Sequence, residues 1–351
     1  METYKKAKYC SAAIWVLGFF LLWELVALLS GVFLAGCGSS GDKKSGDLDK
    51  LTLQSLWLPQ GQFAGVYVAK EKGFYEDEGI DLDILPGGTD VTSEDQVEND
   101  VAQIGTAFYS SVLTYQENGS DFINIFQTMQ KSPQWLVTKK DSGITSGKDL
   151  KGKKVANWFG GRQYEFYAMA QKYGYDPEKD IDWVQQDYTM DQFENDEVDA
   201  ASAMSYNEYL LLLENGYSED DLNVIDPNEE GTAMLEDCLF VKKSWAEENE
   251  DLLVRFIRAT IKGWQYTAEH PEEAGKIVYK EGESATEDHQ IAMTKKVVEF
   301  VAPDGNTDEI GKLDTDALQQ TIDLGVQSGL IKKSISLDKS VDSSYWEKAV
   351  K

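Results

Sequence analysis

The order of apolar runs constrains this chain most. From Leu51 onward, short apolar stretches suited to strands alternate with longer ones at helical spacing. Residues 51–57 read as a strand, 63–75 as a helix, and 80–85 as a strand closed by Pro86-Gly87-Gly88. A helix over 93–99, a strand over 101–108, a helix over 111–117 and strands over 122–129 and 134–138 follow. Strands taking turns with helices predict an α/β fold whose sheet is mostly parallel and covered on both faces. At 351 residues the chain is long enough to divide into two lobes.

The second unit starts with Gly143-Ile-Thr-Ser-Gly147. A strand over 153–157, the loop Trp158-Phe-Gly-Gly161 and a helix over 163–173 follow, then further short elements to 225. The strand over 238–242 is read as returning the chain to the first lobe. Lobe I is therefore 51–142 with 238–351, and lobe II is 143–237. An inserted segment needs two chain crossings, and two crossings make a hinge above a cleft, the usual seat of a small ligand. Beyond the return, Leu253, Phe256, Ile257, Thr260, Ile261 and Trp264 form one apolar stripe of a long helix, which reads as core.

Charge narrows the function. With 33 basic and 62 acidic side chains the formal charge is −29, which opposes binding to nucleic acid. Residues 151–233 hold 6 basic and 19 acidic side chains, so 6 − 19 = −13 falls on the second lobe. Three cysteines (Cys10, Cys37, Cys238) and two histidines (His270, His289) exclude a disulfide framework and a histidine-rich metal centre. There is no G-x-S-x-G, no P-loop and no G-x-G-x-x-G after a strand, and no cofactor is expected. Acidic pairs in so acidic a chain read as solvated surface rather than acid–base machinery.

Residues 1–36 differ from the rest. Lys5, Lys6 and Lys8 precede an apolar run over 12–34 that ends in Leu34-Ala35-Gly36-Cys37. A basic start, an apolar middle and small residues at the end describe a secretory signal. The tetrad is similar to a bacterial lipobox, in which Cys37 is acylated and becomes the first mature residue. A retained membrane-spanning anchor is the other reading, since the run is long enough to cross a bilayer. Glu24 inside the run and the tetrad at its end favour the lipoprotein, and both readings place the body outside the cytoplasm. Residues 37–50 read as a flexible tether. Cys238, left without a partner, reads as a buried strand residue.

The candidate binding residues sit at strand ends. Trp57, Tyr109, Trp158 and Tyr206 each follow a strand, and the carboxyl ends of parallel strands border the ligand crevice. Singly, each ring also suits a cap on the apolar core; four at equivalent places favour a planar ligand held by stacking. Gly160 and Gly161, between a strand and a helix, would offer backbone amides to an acceptor or anion. Arg162 reinforces that reading as one of three arginines, with Arg255 and Arg258, although a surface ion pair suits it equally well.

Four stretches carry a family resemblance. Trp57-Leu-Pro59-Gln-Gly-Gln62-Phe-Ala-Gly65 and its continuation to Gly79-Ile80 are similar to the opening of the thiamine-pyrimidine family. Lys151 to Gly161, Met204-Ser-Tyr206-Asn-Glu208-Tyr209 and Asn228 to Asp237 resemble segments of its bacterial importer members. The family joins solute-binding lipoproteins of ABC importers with the fungal pyrimidine synthase. The resemblance implies a type II periplasmic-binding-protein fold, permease and ATPase partners, a monomer, and a ligand such as formylaminopyrimidine, hydroxymethylpyrimidine or riboflavin. Beside the stacking rings, Gln62, Asn207, Glu208 and Glu236 are expected as polar readers of ring nitrogens and amino groups. Phe63 stands where the synthases carry a histidine, and the cysteine-rich iron-binding motif is absent, so the enzyme reading is disfavoured. A sulfonate- or nitrate-type anion is the third reading, kept open by Arg162.

Overall fold

The computed structural model describes residues 48–282 and 284–351. The signal segment, Cys10, Cys37 and the tether before Leu48 lie outside the described residues. Among the described residues ten strands form two five-stranded sheets. The first holds β1 (Asp49–Gln54), β2 (Ile80–Leu85), β3 (Ile104–Phe108), β4 (Phe122–Gln127) and β10 (Asp237–Lys242), in the order β2-β1-β3-β10-β4. The second holds β5 (Gln134–Lys139), β6 (Lys154–Asn157), β7 (Asp182–Gln185), β8 (Ala200–Met204) and β9 (Leu222–Ile225), in the order β7-β6-β8-β5-β9. Seven helices matter below: α1 (Ala64–Glu71), α2 (Tyr109–Glu117), α3 (Tyr164–Lys172), α4 (Glu208–Glu214), α5 (Glu250–Glu269), α6 (Glu287–Val301) and α7 (Thr315–Ser328).

Two features depart from the sequence expectation. Each sheet is mixed rather than mostly parallel: β10 runs antiparallel to β3 and β4, and β5 runs antiparallel to β8 and β9. Both odd strands stand next to a lobe crossing, where the chain enters the other sheet from the opposite direction. Moreover, β5 belongs to the second sheet, so the first crossing lies before Gln134 and not after Ser142. Apolar spacing marks β5 as a strand but cannot tell which sheet edge it joins. The first strand also starts at Asp49, inside the stretch read as tether.

The stripe on α5 is buried as expected, with Leu253, Phe256, Ile257 and Trp264 all in the core. It lies against α1 at very short range because two glycines meet there. A Cβ on Gly65 would stand 2.2 Å from the Trp264 indole, and one on Gly263 would stand 2.0 Å from the Gly65 carbonyl oxygen. Removing those two methyl-sized volumes lets the helix backbones touch and holds the loop before α1, which carries Trp57 and Gln62. Cys238 is fully buried on β10, and burial pushes its thiol up, which suits a packing residue. No described helix is long and apolar enough to cross a membrane.

Candidate functional site

A cleft of about 530 Å³ lies between the lobes. Trp57, Gln62 and Phe108 line it from the first lobe, and Trp158, Arg162, Tyr188, Tyr206, Asn207 and Glu208 from the second. The lobes are closed on each other. Trp158, Met204 and Tyr206 pack into the apolar cluster of the first lobe, and the Trp57 and Tyr188 rings meet across the mouth with centroids 5.2 Å apart.

Three of the four expected rings share this cleft, and the fourth does not. Tyr109 opens α2 and is fully buried, its hydroxyl donating to Ser340 Oγ at 2.7 Å. The cleft takes Phe108 instead, because successive residues at a strand end face opposite sides of the sheet. Tyr188 also lines the cleft, as does His289 on α6, far away in sequence. Tyr188 stands three residues past the end of β7, the same spacing as Trp57 after β1, so the strand-end signal is present there too; His289 sits in an ordinary amphipathic helix and carries none.

The glycine loop is a further correction. Gly160 and Gly161 take positive φ of 86° and 115°, the left-handed region that glycine enters freely. Neither lines the large cleft, and the Gly161 amide donates to Gln163 Oε1 at 3.0 Å. The glycines shape the turn that delivers Arg162, and Gly161 lines the small void beside the cleft with its amide turned to Gln163. Glu236 is also displaced: with Glu165 it lines a small void of about 10 Å³ adjoining the cleft behind Arg162.

Acidic side chains dominate the polar groups around the cleft and the void beside it. Gln62 Nε2 donates to Asp237 Oδ2 at 2.7 Å, which sets the amide at the cleft floor. Glu208 accepts the Met204 amide at 2.9 Å and the Asn207 side-chain amide at 2.7 Å. Glu165, Glu208, Glu236 and Asp237 are all at least 94% buried, since none exceeds 6% exposure. Burial pushes every one of their carboxyls up, Asp237 to about 7. Repulsion from Glu165 adds to the rise at Glu236. The Arg162 guanidinium opposes the rise at Glu208, Glu236 and Asp237. Its carbon stands 4.9 Å from the Phe108 ring and 5.9 Å from the Trp158 ring, so the cation is held over aromatic faces. One oxygen each of Glu165, Glu236 and Asp237 has no hydrogen-bond partner among the described residues. Of the four acids, Glu208 lines the cleft itself, where its carboxyl can accept from an amino or ring N–H group.

The geometry of two lobes closing over one cleft is matched by sequence comparison. The model of the NMT1/THI5-like family matches residues 60–274, more than half of the 351-residue chain. The chain belongs to the NMT1/THI5-like family. A Bacillus subtilis (strain 168) relative, named provisionally as an aliphatic sulfonates-binding protein, is 30% identical, with 93% of this chain and 96% of the relative covered. The formylaminopyrimidine-binding protein of Halalkalibacterium halodurans is 22% identical over 73% of this chain and 78% of its own length. The crystal structure of the periplasmic aliphatic sulphonate binding protein of Escherichia coli superposes with a TM-score of 0.66 at 16% identity, covering 84% of this chain and 92% of that one. The fold is thus the periplasmic-binding-protein fold.

Proposed function

We propose that the cleft captures a flat, donor-bearing heteroaromatic compound of the thiamine-pyrimidine type for import. The observation that carries this reading is the pairing of aromatic rings from both lobes with the Glu208 carboxyl and the Gln62 amide in the cleft lining. Stacking contributes about 0.5–1.5 kcal/mol per ring beyond area burial. A buried carboxylate next to an amino group adds about 1.5–3 kcal/mol. After association costs these terms suit an affinity near ~1 µM. The family resemblance disfavours the synthase route, since Phe63 holds the position expected for a histidine. In this reading the protein is a receptor and no bond is broken.

Arg162 supports one other reading. A sulfonate would accept from the guanidinium, as the name of the Bacillus relative suggests. Four buried carboxyls beside a single cation work against it, because a bound anion would compete with Glu208, Glu236 and Asp237 for the guanidinium charge and would repel any of them that ionises. Titration of the mature domain with hydroxymethylpyrimidine, formylaminopyrimidine, riboflavin and alkanesulfonates, followed by tryptophan fluorescence, separates the two. The expected result is quenching by a heteroaromatic at micromolar concentration and none by sulfonates; a response to sulfonates alone removes the proposal.

The N-terminal reading completes the proposed role. Cys37 carries the lipid that tethers the receptor, as a monomer, at the outer face of the membrane beside its permease and ATPase. Mass spectrometry of the N-terminal peptide from cell membranes is expected to start at a diacylated Cys37. A peptide running through Ala35 and Gly36 unmodified overturns the anchor.

A further inference from the structure

His289 is the one residue of α6 that bonds to the second lobe through both of its ring nitrogens. Its Nδ1 lies 2.8 Å from Glu214 Oε1 and its Nε2 lies 2.9 Å from Asn207 Oδ1. The ring is 2% exposed. Thr286 caps the start of α6 and accepts the His289 amide at 3.1 Å, which fixes the backbone behind the ring. Asn207 and Glu214 bracket α4 two helical turns apart and so share a face. The chain of bonds runs on from Asn207 Nδ2 to Glu208 Oε1 at 2.7 Å, and from the other Glu208 oxygen to the Met204 amide at 2.9 Å. A side chain of lobe I thereby orients a carboxylate in the wall of the cleft.

Proton counting gives this chain a further property. As placed, both ring nitrogens face acceptors, and a neutral imidazole has only one N–H. Three arrangements satisfy every contact. In the first, the ring carries both protons and Glu208 and Glu214 are ionised. In the second, the Asn207 amide is turned over, donates to Nε2 and accepts from a protonated Glu208. In the third, Nε2–H donates to Asn207 and a protonated Glu214 donates to Nδ1. Each holds one proton more than a neutral ring with two carboxylates. We propose that His289 is the positioning residue that holds Glu208 in its binding geometry, through a cross-lobe chain that closes with one shared proton.

The other charged groups near the ring do not replace that proton. Glu287 and Asp288 precede His289 in the first turn of α6. The 3₁₀ turn Gly61–Phe63, packed on α6, has no ionisable side chain. The helix Pro271–Glu281, also packed there, has Glu272 paired with Lys276 and Glu273 with Lys72, while its Glu281 acts on Tyr67. Arg258 and Lys262 of α5 are bound to Glu78, and Asp304 follows the far end of α6. Arg162 lines the same cleft and its charge acts on Glu208.

The proposal rests on the cleft being the ligand site, but its test runs first without ligand. Small-angle scattering of the mature domain at about pH 6 and about pH 8 is expected to show the lobes opening as the pH rises. His289→Phe, which keeps a ring of similar size and loses both contacts, is expected to have the open radius at both pH values. Glu214→Ala removes one acceptor at a half-exposed position, so a neutral ring then satisfies Asn207; it is expected to stay equally closed at both pH values. The second variant serves if the first does not fold. With hydroxymethylpyrimidine as the probe, calorimetry in two buffers of different ionisation enthalpy is expected to show uptake of about one proton by wild type at about pH 8, and far less by either variant. An unchanged pH response of the radius in both variants overturns the proposal whatever the probe does. A lost response with no probe binding retains the latch and removes the ligand reading alone.

Discussion

Trp158→Ala is expected to weaken ligand binding by roughly 100-fold, the equivalent of about 3 kcal/mol. The indole is 5% exposed, lines the cleft and lies beneath the Arg162 guanidinium, so its removal takes away a stacking face and frees the cation to move. Its Nε1 donates to the Asp187 carbonyl at 3.0 Å, which locks the ring plane. Trp158→Phe separates the two roles: it keeps an aromatic face and loses that bond, so a loss of about 10-fold or less is expected. Fluorescence titration checks both, with thermal melting to confirm that each variant is folded. Equal affinities for wild type and Trp158→Ala would mean that the ligand does not lie on this ring.

Arg162→Met is expected to lower stability in a pH-dependent way. A carboxyl raised in the folded state binds a proton that the unfolded chain has already released. The stability it contributes is fully present below the unfolded value and is lost as the pH rises through the folded one. Glu165, Glu236, Glu208 and Asp237 are all of this kind, with Asp237 at about 7. Wild type is therefore expected to lose stability between about pH 5 and about pH 8. Glu78 and Glu230 are shifted the other way, so their contribution is lost only on acidification, outside that window. Without the guanidinium the buried acids have no nearby cation, and ionising them costs more. The variant is expected to melt about 2 °C lower than wild type at about pH 5.5 and roughly 5–8 °C lower at about pH 8.5. Arg162→Lys keeps the charge and is expected to recover most of the difference. A loss of equal size at both pH values would show that Arg162 acts by packing alone.

The sequence carries the architecture further than it carries the site. Alternating strand and helix signals suffice for α/β lobes, because each element must bury one face whatever its neighbours are. They do not say where β5 pairs, since Gln134–Lys139 has the same apolar spacing in either sheet. Trp57, Trp158 and Tyr206 are legible because large rings just past strand ends fall at the crevice. Tyr109 misleads by one position, since Phe108 and Tyr109 straddle the end of β3 and point to opposite sides. The glycines at 160 and 161 are legible as a turn but not as a ligand contact, because Gln163 takes the exposed amide. His289 is invisible to local reading: its role depends on α6 meeting α4 across the cleft, more than 70 residues away in sequence.

The most direct test is competition calorimetry on the closed cleft, with hydroxymethylpyrimidine and an alkanesulfonate presented to the same mature protein. Binding of the heterocycle in the micromolar range, undisturbed by excess sulfonate, is the expected result. Heat from the sulfonate alone, or displacement of the heterocycle by it, would contradict a cleft built for donors and aromatic faces.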